Sequence, residues 1–220
     1  MTLYEPRKAF KPKRAPQRAA YDREVVHAIL DEAYVTHVAF ADGEGFPHVL
    51  PMYYVRDGES LLLHGSSKMG QAAAARRGAP FCAAVTLIDG LVLARSGFHH
   101  SVNYRSVVIH GQPEILEGEA KARALALTVE RLAKGRAAET RAPNEKEMRA
   151  TVVISLPLAE AAAKIRAGGV NDEPEDMDLP VWAGVIPMQT VFGTPEPDNG
   201  VGAALKPPIL TQSNTPEVKA

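Results

Sequence analysis

The feature that most constrains this chain is its punctuation. From residue 34 to residue 116, short runs of β-branched, aromatic and leucine residues alternate with turn formers, notably Asp42-Gly43-Glu44-Gly45, Arg56-Asp57-Gly58-Glu59 and Asp89-Gly90. Asp-Gly supplies the positive φ of a tight hairpin, and runs this short read as strands rather than helices. The spacing predicts strands at 34–40, 46–55, 60–64, 81–87 and 91–96, then 107–116 and 151–158. Pro113 points to an edge or a bulge in the 107–116 run. A meander of this kind buries one face only by curling into a barrel or taking a helix onto it.

Helices are few. Asp22 is a candidate N-cap, and Val25, Val26, Ile29 and Leu30 follow at helical spacing. Residues 69–77 hold four consecutive alanines before Gly78, and 119–134 reads as a helix stopped by Gly135. Residues 158–166 are ambiguous, because their alanines favour helix by propensity. The expected fold class is mainly β with helices. It divides into an extended basic arm (1–20), a barrel domain (21–193) and a proline-rich tail (194–220).

Composition narrows the function classes. The formal net charge is −1, which gives no overall field for nucleic acid or an anionic membrane. No apolar run nears the roughly 18 residues of a membrane span, and no apolar secretory stretch opens the chain. The arm carries Arg7, Lys8, Lys11, Lys13, Arg14 and Arg18. Such charge would suit a transit peptide or a nucleic-acid arm, but Pro6, Pro12 and Pro16 break any amphipathic helix there. An arm lying on the body or on a partner subunit is the simpler expectation. Cys82 is the only cysteine, which fits a reducing cytoplasm. Dinucleotide fingerprint, P-loop, zincin and serine-hydrolase motifs are all absent. Adjacent His99 and His100 would point to opposite faces of a strand, so no metal site is expected.

Two stretches carry chemistry. In Leu61-Leu62-Leu63-His64-Gly65-Ser66-Ser67-Lys68-Met69-Gly70-Gln71, a strand feeds two hydroxyls and a cation and then a helix start, an arrangement suited to a phosphate. A serine N-cap beside a solvated lysine would read the same way. In Arg95-Ser96-Gly97-Phe98-His99-His100-Ser101-Val102-Asn103-Tyr104-Arg105-Ser106-Val107-Val108-Ile109-His110-Gly111, many donors crowd what reads as a loop between two strands. A polar surface loop is the alternative.

Those stretches resemble the flavin-nucleotide-binding, nitroimidazole-reductase-like branch of the pyridoxamine 5′-phosphate oxidase-like proteins. Tyr21-Asp22 ahead of the first helix, Lys164-Ile165-Arg166-Ala167-Gly168, Asp172, Glu175-Asp176 and Val181-Trp182-Ala183-Gly184-Val185-Ile186-Pro187 extend the likeness from about residue 18 to 197. The resemblance implies a six-stranded FMN-binding split β-barrel, homodimeric, with FMN between the subunits. It also implies strand at 158–166. By position it puts flavin contacts on Val49, Leu50, Pro51 and Met52, on His64, Gly65, Ser66 and Lys68, and on Tyr104, Arg105, Ser106 and Val107. Trp182 would approach the ring from the other subunit, and His64 is the candidate catalytic residue. Each has a plainer reading: core packing for Trp182, a surface salt bridge for Arg105, and packing under the flavin for His64. The arginine-and-histidine substrate set of a true pyridoxamine phosphate oxidase is missing. The implied function is an FMN-dependent oxidoreductase of a small redox substrate, or a flavin- or haem-binding store or sensor without turnover.

Overall fold

The structure is a computed structural model that describes residues 2–202 and 205–208. Ten strands form one antiparallel sheet: β1 (Ala19–Ala20), β2 (Val35–Ala41), β3 (Pro47–Asp57), β4 (Ser60–Ser66), β5 (Phe81–Leu93), β6 (Ser101–Gly111), β7 (Glu114–Leu116), β8 (Thr151–Pro157), β9 (Glu160–Arg166) and β10 (Gly184–Pro187). Their order is β1-β9-β6-β5-β2-β3-β4-β8-β7, with β10 paired to β5. The helices are α1 (Arg23–Glu32), α2 (Gly70–Arg76), α3 (Gly118–Leu132), α4 (Arg136–Glu139) and α5 (Glu145–Ala150). None is long and apolar enough to cross a membrane.

The meander forms because its turns have the right chemistry. Gly58 adopts φ +55° between β3 and β4. At the preceding turn Asp42 accepts hydrogen bonds from the N–H groups of Glu44 and Phe46 (2.9 and 3.0 Å), and Gly45 takes the positive φ. Inward positions alternate. Thr36, Val38 and Phe40 of β2 are buried, while Val35, His37 and Ala41 are exposed. The core joins both ends of the sheet, with Leu61, Leu63, Ile109, Ile154, Leu156 and Ala163 packed together, and Val26, Ile29 and Leu30 of α1 close it. Truncating one of these large aliphatic side chains to alanine costs about 2–5 kcal/mol.

Four expectations need correction. The sheet has ten strands where six were implied. Asp89-Gly90 makes no hairpin: β5 runs straight through it with a register shift between Ile88 and Gly90. The shift is a β-bulge that keeps the same partner strand, and Gly90 fits tightly against Ile186 and Val185. The donor-rich stretch at 101–106 is the first half of β6, not a loop: β5 pairs with it throughout and β9 from Tyr104 onward. The predicted 107–116 strand breaks after Gly111, and beyond Pro113 the chain leaves β6 and pairs with β8 as β7. Residues 160–166 are strand despite their alanines, because Ala161, Ala162 and Ala163 fill a buried ladder.

The basic arm lies on the body. Tyr4 is buried and donates to Glu59 at 2.7 Å, Arg7 pairs with Glu160, and Ala19–Ala20 extends the sheet at β9. Pro195, Pro197, Pro207 and Pro208 sit outside regular structure, while Pro216 lies beyond the described residues.

Candidate functional site

The site begins where two strands separate. β3 pairs with β4 only through Tyr54–Asp57, whereas its first half pairs with β2. Past Leu63, β4 continues alone against β8. From Pro47 to Tyr53, therefore, one edge of β3 has no strand partner among the described residues, and His64, Gly65 and Ser66 stand across from it. At the apex of this fork the rings of Tyr53 and His64 meet edge to face, 6.2 Å apart. Parity identifies the open groups. Tyr54 N–H reaches Tyr34 on the β2 side, and Pro51 has no N–H to give, so the odd positions face the seam. Val49 thus presents N–H and C=O to it, Pro51 presents C=O, and Tyr53 presents N–H.

The walls of the seam hold polar atoms without partners. His64 is half-buried and its Nδ1 is fully buried with no hydrogen bond. Burial pushes its pKa below the ordinary imidazole value, so the ring is neutral at pH 7. Gln71 is wholly buried. Its Nε2 donates to the sulfurs of Met52 (3.4 Å) and Met69 (3.5 Å), and its Oε1 has no partner. Tyr53 donates its hydroxyl to Thr128 of α3 at 3.0 Å, which fixes the apex.

The turn after β4 departs from a free-amide cradle. Ser66 N–H goes to Met69 Sδ, Ser67 N–H to Ala150 O, Lys68 N–H to Ser66 Oγ, and Met69 N–H to Ser66 O. What it offers an anion is therefore the serine hydroxyls and the Lys68 ammonium. Within one chain, then, Val49, Leu50, Pro51, Met52, His64, Gly65, Ser66 and Lys68 flank a single seam.

Tyr104, Arg105, Ser106 and Val107 do not join them. They lie on β6, with β5 and β2 between them and β3. Arg105 is bidentate to two carboxylates. Nη1 and Nη2 bond Glu32, while Nε and Nη2 bond Asp89 at 3.0 and 2.7 Å. Both contacts hold its pKa above the usual arginine value. Val107 is buried in the core, and Ser106 donates to Lys164 O. Arg105 instead lines a second opening, a cavity of about 620 Å³ with Glu32, Tyr34, Asp89, Arg131 and Phe192 on its walls. It exists because β2 covers one edge of β5 only at Cys82–Ala84 and β10 covers it only at Gly90–Leu93. Trp182 is 64% exposed beside Gly184, at the far end of β5 from the seam. Among the described residues no cluster of three or more His, Cys, Asp or Glu forms a metal cage.

Sequence reasoning passed over Gln71 and Tyr53. Both carried a signal: Gln71 follows Lys68 by three residues, and Tyr53 continues the alternation of Val49 and Pro51. Arg131 stacks over Tyr34 with its guanidinium 4.6 Å from the ring centre, and it had no sequence signal beyond its place in the last turn of α3.

A sequence profile for pyridoxamine 5′-phosphate oxidase matches residues 22–165. Among solved structures, the flavocytochrome Anf3 from Azotobacter vinelandii is 38% identical, with a TM-score of 0.86 over 93% of this chain and 95% of that one. An FAD and haem binding protein from Mycobacterium smegmatis is 35% identical, with a TM-score of 0.81 over 87% of this chain and 94% of that one. A putative 5-nitroimidazole antibiotic resistance protein from Bacteroides thetaiotaomicron shares the fold at 23% identity and a TM-score of 0.57, over 67% of this chain and 86% of that one. No curated protein sequence matches the chain.

Proposed function

Because the chain belongs to the pyridoxamine 5′-phosphate oxidase family, we propose that it is a flavin-dependent redox protein that also carries haem. The observation behind this reading is the seam between β3 and β4. It joins an open backbone edge, two buried polar atoms without partners, and a hydroxyl- and lysine-bearing turn. That donor set suits a planar heterocycle with a polar rim and a phosphate tail. FMN, the nucleotide expected from the sequence, and FAD share the ring and first phosphate. FAD is favoured because it is named for the relative at 35% identity.

When bound, flavin would supply hydride and single-electron transfer, and haem would supply one-electron and dioxygen chemistry. The chain's part is positional. Val49, Pro51 and Tyr53 would orient the ring through their backbone groups, while Leu50 and Met52 pack behind it. Ser66 and Lys68 would hold the phosphate. Haem asks for a neutral imidazole. His64 would meet that need through its Nε2, since burial favours the neutral ring while its Nδ1 is enclosed by the protein. The substrate class is a small redox-active molecule.

We read the assembly as a homodimer. The outer face of β2 and β3 leaves Val35 47% and Val49 60% exposed, beside His37 and Pro51, and Phe46 at the adjoining turn is 63% exposed. A second copy would cover this face and close the seam against water, and obligate interfaces of this kind bury on the order of 2,000 Å² or more.

The test is direct. Cofactors released from the purified protein are identified by mass spectrometry, and the loaded protein is mixed with reduced nicotinamide cofactor in a stopped-flow cell. FAD with haem and rapid flavin bleaching is the expected result. Flavin that never bleaches would make the protein a binding module, and absence of any flavin would remove the proposal.

A further inference from the structure

The opening between the start of β2 and the end of β5 has no part in the flavin reading. Its volume of about 620 Å³ is that of a small-molecule site. It exists because the β2–β5 ladder stops at His37–Ala84 and β10 takes up the same edge only from Gly90. Thr36 donates its hydroxyl to Ala84 O at 3.2 Å, which marks the even positions of β5 as the ones turned toward β2. Thr86 therefore turns its N–H and C=O into the gap, beyond the end of either ladder. The charged groups on the walls are Glu32, Asp89, Arg105 and Arg131, which sum to zero. Arg105 holds both carboxylates. Arg131 has no carboxylate partner among the described residues. Its Nη2 donates to Asp31 O and Ala33 O at the end of α1, and its Nε and Nη1 are unspent. The same guanidinium covers one face of Tyr34, and Phe192 meets that ring edge to face with centres 6.5 Å apart. The Tyr34 hydroxyl bonds no described residue.

We infer that this cavity binds the protein's electron acceptor, a flat uncharged ring with carbonyl oxygens of the quinone type. The groups left over are chiefly donors: Arg131 Nε and Nη1, the Tyr34 hydroxyl and Thr86 N–H. Such a wall suits acceptor oxygens, and charges that cancel give no net pull on an ion. Phe192 and Ile88, each nearly half exposed, offer the ring apolar contact. The inference rests on the flavin reading for the source of electrons, whereas the fit of the ring stands without it. Position favours an electron acceptor. Val35 on the cavity wall lies opposite Tyr53, the apex of the seam, in the β2–β3 ladder. Seam and cavity thus flank the same two strands at the same level, about 10 Å apart by strand spacing. One turn of α3 serves both, because Thr128 O takes the Tyr53 hydroxyl and Arg131 stands in the cavity. In turnover, reduced flavin and quinone become oxidised flavin and hydroquinone, with two electrons and two protons changing hands.

The probe is menadione, a methylated naphthoquinone, titrated calorimetrically into the full chain as purified. The variants are Phe192→Ala, at an exposed position, and Arg131→Met, with folding verified by circular dichroism. Phe192→Ala should weaken menadione about two- to tenfold, the worth of one aromatic contact. Arg131→Met should weaken it about tenfold or more. With flavin reduced by dithionite, reoxidation by dilute menadione should slow by the same factors. Binding that neither variant changes would overturn the assignment, as would reoxidation that stays fast while binding weakens. If riboflavin displaces menadione from flavin-free protein, the quinone sits in the seam and the cavity is wrongly assigned. If naphthoquinone sulfonate binds more tightly than menadione, the cavity takes anions and the ligand class is wrong. Flavin present with no menadione bound defeats this inference alone. A chain without flavin defeats the flavin reading and takes the acceptor role with it, even where menadione binds. Arg131→Met can fail to fold, since it caps α1, and Phe192→Ala then decides.

Discussion

Replacing Arg105 with methionine separates two roles that sequence alone leaves joined. The guanidinium spends its N–H groups on Glu32 and Asp89. Its side chain is 15% exposed, against 25% for Glu32 and 33% for Asp89. Removing one partner of a buried ion pair costs about 3–5 kcal/mol, because a charge is left without compensation. A fully exposed pair is worth about 0–1 kcal/mol. With the carboxylates a quarter to a third exposed, water recovers part of the loss, and about 2–3 kcal/mol remains between those limits. For a chain of this size that lowers Tm by roughly 4–12 °C. The measurement is thermal unfolding at fixed flavin concentration, with the triple variant Glu32→Gln, Asp89→Asn, Arg105→Met beside the single one. The triple variant should recover much of the stability, since its two amides leave no stranded charge. A single variant that melts with wild type, or a triple variant no better than the single, would refute the argument. In the same samples the ratio of FMN to riboflavin affinity should stay put, because Arg105 is bound up away from the Ser66–Lys68 turn.

Other outcomes are expected from the same geometry. Lys68→Ala should weaken FMN and FAD by about ten- to a hundredfold and leave riboflavin nearly unchanged, as isothermal titration of flavin-free protein would show. His64→Ala should abolish haem loading, read from the Soret band, while yellow flavin is retained; a variant that still loads haem fully moves the ligand elsewhere. His37→Asp on the outer face of β2 should convert the dimer to monomer in light scattering without lowering the helix and strand signals. Burial holds the pKa values of His27, His64 and His110 below the ordinary value. Folding therefore favours their neutral forms, so that stability is complete above about pH 6.5 and falls as the pH drops through the folded values. The urea midpoint should decline between pH 7 and 5, a window in which the lowered carboxylates of Asp57 and Asp172 do not titrate; a flat profile there would contradict the burial argument.

The sequence carried the meander and most of the seam because both depend on local rules. Turn chemistry at Asp42 and Asp57 and alternation along β2 and β3 are written in neighbouring residues. Pro51 even marks which edge of β3 stays open. Asp89-Gly90 misled for a tertiary reason: a bulge and a hairpin begin with the same residues, and only the continuing partner β6 separates them. Residues 101–106 looked like a loop because their polar side chains hid a backbone paired with β5 throughout and with β9 from Tyr104. Arg105 was grouped with Lys68 by the family resemblance, yet within one chain the sheet sets β6 apart from the turn that carries Lys68.

The divided edge of β5 bears on how the folding chain is kept from pairing with its neighbours. Its last residues, Gly90–Leu93, are covered on that side only by the four residues of β10, which arrive from almost a hundred positions later in the chain. Until that segment docks, a newly made chain presents an unprotected border that includes Leu91, Val92 and Leu93, with hydrogen-bonding groups ready for any passing strand. Just past Pro187, Met188 N–H donates to Asp89 O at 3.0 Å and carries the cover one bond further. The C-terminal segment thus acts as a stopper against runaway association, and a chain shortened before Gly184 would meet the cell as an aggregating species even though its barrel core is complete.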